Sequence, residues 1–228
     1  RRRTKRHRAA TRSRRVTFQP FSLAEMRALL KELRSPDATD VNQAHFYPLT
    51  EALFLTGLRW AEAAAWVWPD VSNSGGRLHI RRAIPKYGTL DLEELDIEDP
   101  EEAPTKTGEE WSIPIRVPLA NLLLRQRQRS YVGRSQGWVF PNTCGGHANY
   151  RNWLERVWTK LLERCKVAPR VGDAQKAMRR SYITSALICG RTPKEVSAEV
   201  GHTTPRMVME VYDSFLDPTE WPSDVERE

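Results

Sequence analysis

The sequence predicts an α+β fold, mainly helical, with one small antiparallel sheet near the N-terminal half. Three observations carry this reading. Apolar residues recur at three- and four-residue spacing along most of the chain, as on the buried face of a helix. Two short stretches, residues 77–83 (RLHIRRA) and 111–116 (WSIPIR), read instead as strands. There is no internal repeat, and 228 residues are enough for one well-buried core with a short appendage.

The elements follow in order. Ser22-Leu-Ala-Glu25 is a capping box, with Met26, Leu29, Leu30 and Leu33 behind it at helical spacing. Phe46, Leu49, Leu53 and Phe54 mark a second helix that stops near Thr56-Gly57, and a third runs from Arg59 to about Trp66. The turn cluster Ser-Asn-Ser-Gly-Gly after Val71 opens the first strand. Residues 84–103 form an acidic insert punctuated by Pro and Gly, before the second strand at Trp111. Pro118 begins an amphipathic helix through Leu119, Leu122, Leu123 and Gln126, with Arg125, Arg127 and Arg129 on its surface. Helical patterns recur at about 149–165, 173–189, 193–200 and 204–215, with Gly190 and Gly201 as stops.

Composition narrows the class. A hydrophobic content of 39%, a charged content of 29% and eight tryptophans describe a globular chain. No apolar run approaches the ~20 residues of a membrane span. The arginine-rich start has no apolar segment of signal-peptide type behind it, so a cytoplasmic protein with no membrane partner is expected. Three cysteines (Cys144, Cys165, Cys189) without C-x-x-C spacing are expected to be buried thiols in a reducing compartment. Cys144-Gly-Gly-His147 lacks a second ligand pair, there is no P-loop and no G-x-G-x-x-G, and neither metal nor cofactor is expected.

The net charge of +7 is unevenly spread. Residues 1–15 carry nine Lys or Arg and no acid, whereas residues 91–102 hold eight acids and no base. A basic arm on a moderately basic body suits a polyanion, and Arg2, Arg3, Lys5, Arg6, Arg8, Arg14 and Arg15 are the expected DNA contacts.

The chemistry-bearing residues are spread over the rest of the chain. Arg59 and Glu62 stand in Thr-Gly-Leu-Arg-Trp-Ala-Glu, three apart and so expected on one helix face. Lys106 lies in Pro-Thr-Lys-Thr-Gly between the two strands. Lys176 and Arg179 lie three apart on a later helix, His202 follows Gly201, and Tyr212 comes ten residues after His202. Arginine forks neutralise and orient a phosphate. A phenol oxygen can attack phosphorus and hold a covalent intermediate, and histidine can move protons. An ordinary phenol, with a pKa of ~10, is only about one part in a thousand ionised at neutral pH; nearby arginines would offset most of that shortfall of roughly 4 kcal/mol.

At these residues the chain resembles the tyrosine recombinase (phage integrase) family, over roughly residues 20–216. The family's boxes are T-G-x-R-x-x-E, a hairpin lysine, [HK]-x-x-R, G-H and a tyrosine about ten residues on, and all five stand here in order. The resemblance implies the tyrosine recombinase catalytic fold over residues 17–216, with a basic arm or linker over 1–16 and a C-terminal tail over 217–228. It implies that Arg59, Arg179 and His202 hold the scissile phosphate, that Glu62 orients Arg59, and that Lys106 protonates the leaving 5′-hydroxyl. Lys176 stands where most members carry histidine, and either shuttles protons or stabilises charge. Tyr212 is the implied nucleophile, giving a 3′-phosphotyrosyl link without metal or ATP. Double-stranded DNA is the implied partner and a homo-tetramer the implied assembly. Members usually carry a core-binding domain before the catalytic one; none is read here, so residues 1–16 look like the linker left by truncation. A type IB topoisomerase-like strand transferase and a non-catalytic DNA-binding protein of the same fold are the alternatives.

Overall fold

The first helix starts where its cap dictates. In the computed structural model, Ser22 accepts from the Glu25 backbone N–H at 3.2 Å while the Glu25 carboxylate accepts from the Ser22 N–H at 2.8 Å, closing the capping box at the head of α1 (Leu23–Leu33). The structure describes residues 19–35, 41–72, 76–84, 110–129, 137–170, 174–202 and 204–213, with backbone alone at 41–44 and 210–213. Helix α2 (Val41–Thr56) is the central post. It packs against α1, against α4 (Val117–Gln128) and against α7 (Ala174–Ile188), and it buries Leu49, Ala52, Leu53 and Phe54.

The sheet is smaller than predicted. Strands β1 (Arg77–Ile80) and β2 (Trp111–Pro114) pair antiparallel, with Leu78 opposite Ile113 and Ile80 opposite Trp111. Leu78, Ile80 and Ile113 are buried. Neither strand reaches its expected end at Ala83 or Arg116. Pro114 has no N–H to give the ladder, and past Ile80 the chain turns toward the buried Asp70, whose Oδ2 accepts from Arg82 Nη1 at 2.6 Å. The third helix is also shorter than expected: α3 is Trp60–Ala64. The chain is drawn out of the helix because residues 66–68 pair with 137–139, Val139 N–H bonding to Trp66 O at 2.8 Å and Trp68 N–H to Gly137 O at 2.9 Å.

The C-terminal half continues through α5 (Tyr150–Trp153), a π-helical turn (Leu154–Trp158), α6 (Thr159–Arg164), α7, α8 (Pro193–Val200) and α9 (Arg206–Asp213). Within the main core Trp153 stacks on Trp158 with ring centres 5.6 Å apart, and its indole N–H donates to Thr50 Oγ1 at 2.8 Å. That bond satisfies the one polar atom of a side chain that is fully buried. A second, smaller cluster of Tyr182, Ile183, Ala186, Leu187, Val196, Val200 and Val208 joins α7, α8 and α9. Val208 is the buried anchor of α9 in this cluster, flanked by exposed Met207 and Met209.

The cysteines are not buried thiols as expected. Cys144 and Cys189 are exposed and Cys165 is partly buried. Cys144 lies in the turn that the Asn142 side chain organises, and Cys189 follows the end of α7, so neither position faces a core. Among the described residues no helix is long and apolar enough to cross a membrane.

Candidate active site

Two chain reversals converge on one arginine. The first is at the end of α2, where Gly57 takes φ 64° and its N–H bonds to Leu53 O at 3.0 Å. A side chain here would be strained by the left-handed backbone and would also be driven into the Tyr182 ring, so glycine is required twice over. The reversal delivers Arg59 to the head of α3.

Arg59 is not on a helix face beside Glu62. It is the N-cap of α3, with extended backbone (φ −71°, ψ 151°), and Glu62 reaches back to it from the first turn. Glu62 Oε2 accepts from the Arg59 backbone N–H at 2.7 Å and Oε1 from Arg59 Nη1 at 2.6 Å. The Glu62 side chain is only 1% exposed, whereas that of Arg59 is 28% exposed. The carboxylate is therefore committed to holding the arginine, and the guanidinium keeps an open side.

The second reversal is at the end of α8. Gly201, also left-handed at φ 64°, caps the helix, and a Cβ there would enter the Trp111 indole. The last carbonyls of a helix have no partner within it. Here the Trp111 indole N–H donates to Glu199 O at 3.1 Å, and Arg179 Nη2 donates to Val200 O. His202 follows, its N–H on Ser197 O at 3.0 Å.

Arg179, on α7, links the two reversals. Its Nη1 donates to Gly57 O at 2.8 Å and its Nη2 to Val200 O. One guanidinium thus ties the residue two before Arg59 to the residue two before His202. Arg179 is 8% exposed. Burial, helped by the charge of Arg59 and opposed by Glu62, lowers its pKa to about 10, so it stays charged at neutral pH.

His202 feels the same cluster. Burial first, then the charges of Arg179 and Arg59, push its imidazole down to about 3. The ring is therefore neutral at physiological pH, and its buried Nδ1 has no hydrogen-bond partner among the described residues. A neutral imidazole within the field of two arginines can accept a proton or donate its one N–H, and a bound anion would raise its proton affinity.

The structure thus brings Arg59, Glu62, Arg179 and His202 together. Lys176 lies one turn before Arg179 on α7 and is exposed. Tyr212 lies on the backbone of α9, four residues after the anchor Val208. Lys106, the arm contacts Arg2, Arg3, Lys5, Arg6, Arg8, Arg14 and Arg15, the acidic insert after Ile84 and the tail 217–228 lie outside the described residues. Sequence reasoning passed over Trp111, Arg116, Arg191 and Glu199, which brace the His202 corner. The one available cue was a lone charged residue, Glu199, in the final turn Val196–Val200.

This architecture recurs in solved structures at low sequence identity. The chain is similar to the Tn1549 transposon integrase in complex with a circular intermediate DNA (TM-score 0.65, 16% identity), covering 85% of this chain and 60% of that one. It is similar to the XerH site-specific recombinase in a post-cleavage complex with palindromic difH substrate (TM-score 0.63, 15% identity, 88% of this chain and 50% of that one). The catalytic domain of bacteriophage HP1 integrase matches at a TM-score of 0.57 and 14% identity, over 89% of this chain and 91% of that one. The fold is therefore that of a tyrosine recombinase catalytic domain. The phage integrase family model matches residues 21–216, and the chain belongs to that family. It spans about 60% of the Tn1549 integrase chain and half of XerH. No curated protein matches it.

Proposed function

We propose that this chain is the catalytic part of a site-specific DNA recombinase that cuts and rejoins strands through Tyr212. The observation that carries the reading is the Arg179 guanidinium. It binds the backbone beside both Arg59 and His202, gathering two cations and a neutral imidazole round one point. Such a cluster suits a phosphodiester whose charge grows in the transition state.

The steps balance without an outside energy source. Tyr212 Oη attacks phosphorus and gives up its proton to His202 or Lys176. The bond from phosphorus to the 5′-oxygen breaks, and that oxygen takes a proton from Lys106. A 3′-phosphotyrosyl ester replaces the phosphodiester, so a 5′-hydroxyl of a partner strand can reverse the exchange. Arg59 and Arg179 neutralise the non-bridging oxygens, and Glu62 keeps Arg59 aimed at them. Among the described residues the other tyrosines are poor candidates. The Tyr182 hydroxyl donates to Glu199 at 2.6 Å and accepts from Arg191 at 2.9 Å, and Tyr47 and Tyr150 are buried in the main core. The arm 1–16 would add sequence-independent phosphate contacts to a catalytic domain spanning 17–216. The tail 217–228 would serve contact between protomers in a tetramer. A nicked DNA duplex carrying a recombination site provides the test. A covalent adduct followed by strand exchange supports this reading, an adduct without exchange together with relaxation of a closed supercoiled plasmid indicates a topoisomerase, and binding without an adduct contradicts both.

A further inference from the structure

Glu199 has no part in the steps above, yet it is the most heavily bonded carboxylate among the described residues. Arg116 grips it bidentately, Nη2 to Oε1 at 2.6 Å and Nη1 to Oε2 at 3.1 Å. Tyr182 donates its hydroxyl to Oε2 at 2.6 Å, and Arg191 forms an ion pair with Oε1. Burial would raise the carboxyl, but these partners outweigh it and hold it down to about 2. The partners come from different elements: Arg116 caps α4, Tyr182 is on α7 and Arg191 follows α7. The Glu199 backbone oxygen is held separately by Trp111 of β2. His202 lies three residues further on.

We propose that Glu199 is a positioning residue for His202: by tying the last turn of α8 to α4, α7 and β2, it fixes where the imidazole stands relative to Arg59 and Arg179. Well-packed apolar side chains often stabilise as much as a buried ion network, and in some proteins what such a network adds is a defined geometry. Geometry is what the site needs, because a misplacement of about 1 Å can cost a reaction roughly a hundredfold. The inference rests on the recombinase reading for its activity test, though not for its structural one.

Glu199→Gln keeps the shape and removes the charge. Single-turnover adduct formation on nicked DNA should slow by about tenfold at saturating DNA, while the half-saturating DNA concentration stays within about twofold. In a His202→Ala background the same substitution should add no further slowing, because its effect passes through the imidazole. An unchanged rate, a change in half-saturation alone, or the full factor on top of His202→Ala would overturn the proposal. Should Glu199→Gln fail to fold, Arg116→Gln, which removes the bidentate partner from a half-exposed position, is held to the same criteria. If the unaltered protein forms no adduct, it is the recombinase reading that fails. Positioning is then decided by the His202 ring resonances in ¹H–¹⁵N spectra, which should move in Glu199→Gln; unmoved resonances would overturn it.

Discussion

Glu62 holds Arg59 at both ends, one carboxylate oxygen on its backbone N–H at 2.7 Å and the other on its guanidinium at 2.6 Å. The same carboxylate therefore caps α3 and aims the arginine. Hydrogen bonds to charged groups contribute roughly 1.5–3 kcal/mol, and a lost helix cap costs about 1 kcal/mol. Glu62→Gln retains one acceptor and should lower stability by about 1–3 kcal/mol, measured by urea unfolding. Its cleavage rate should fall much further than its DNA affinity, since the arginine remains but is no longer aimed. Equal losses in rate and affinity would mean that Glu62 serves folding alone.

The depressed imidazole of His202 makes a prediction about acid stability. Its value falls from the ordinary 6.5 to about 3 on folding, so between these values the unfolded chain binds a proton that the folded chain refuses. Stability should accordingly be lost as pH drops through 6.5 toward 3. His202→Gln removes this titration and should lessen the pH dependence of Tm between pH 6.5 and about 5.5, above most carboxylate titration, leaving the part that comes from His45, which burial also lowers. Parallel curves for the two proteins in that window would count against a buried neutral histidine.

Lys106 is assigned the proton that the departing 5′-oxygen needs. General acid help is worth typically ~10²–10⁴ in rate. Lys106→Ala should bind DNA almost normally and cleave it slowly. Replacing the bridging 5′-oxygen with sulfur makes a leaving group that needs no proton, and on that substrate the variant should recover most of its rate. Arg59→Ala should not recover, because its defect is in phosphate stabilisation. Failure of sulfur to rescue Lys106→Ala would assign the acid elsewhere.

Much of this architecture is legible in the residues. The α1 capping box, the stops at Gly57 and Gly201 and the burial of Leu119, Leu122 and Leu123 follow from local chemistry that tertiary contacts leave unchanged. The misses share a cause, which is competition from distant chain. Periodicity carries α3 on to Trp66, but pairing with residues 137–139 ends it at Ala64. Spacing places Arg59 and Glu62 on one helix face, but the reversal at Gly57 makes Arg59 a cap. The motifs identify Arg59, Arg179 and His202, yet no local pattern reveals that Arg179 bonds to the carbonyls of Gly57 and Val200. Nor does one reveal that Glu199 gathers Arg116 and Arg191 from 83 residues before it and from the loop after α7. Contacts of that range depend on the completed fold.

The central claim is that Tyr212 forms a covalent bond to DNA. Incubating the protein with nicked recombination-site DNA, digesting the trapped adduct and mapping the modified residue by mass spectrometry tests it directly. The phosphonucleotide should map to Tyr212, and Tyr212→Phe should bind the same DNA with nearly unchanged affinity while forming no adduct. An adduct mapping to another residue, or one that persists in Tyr212→Phe, would contradict the claim.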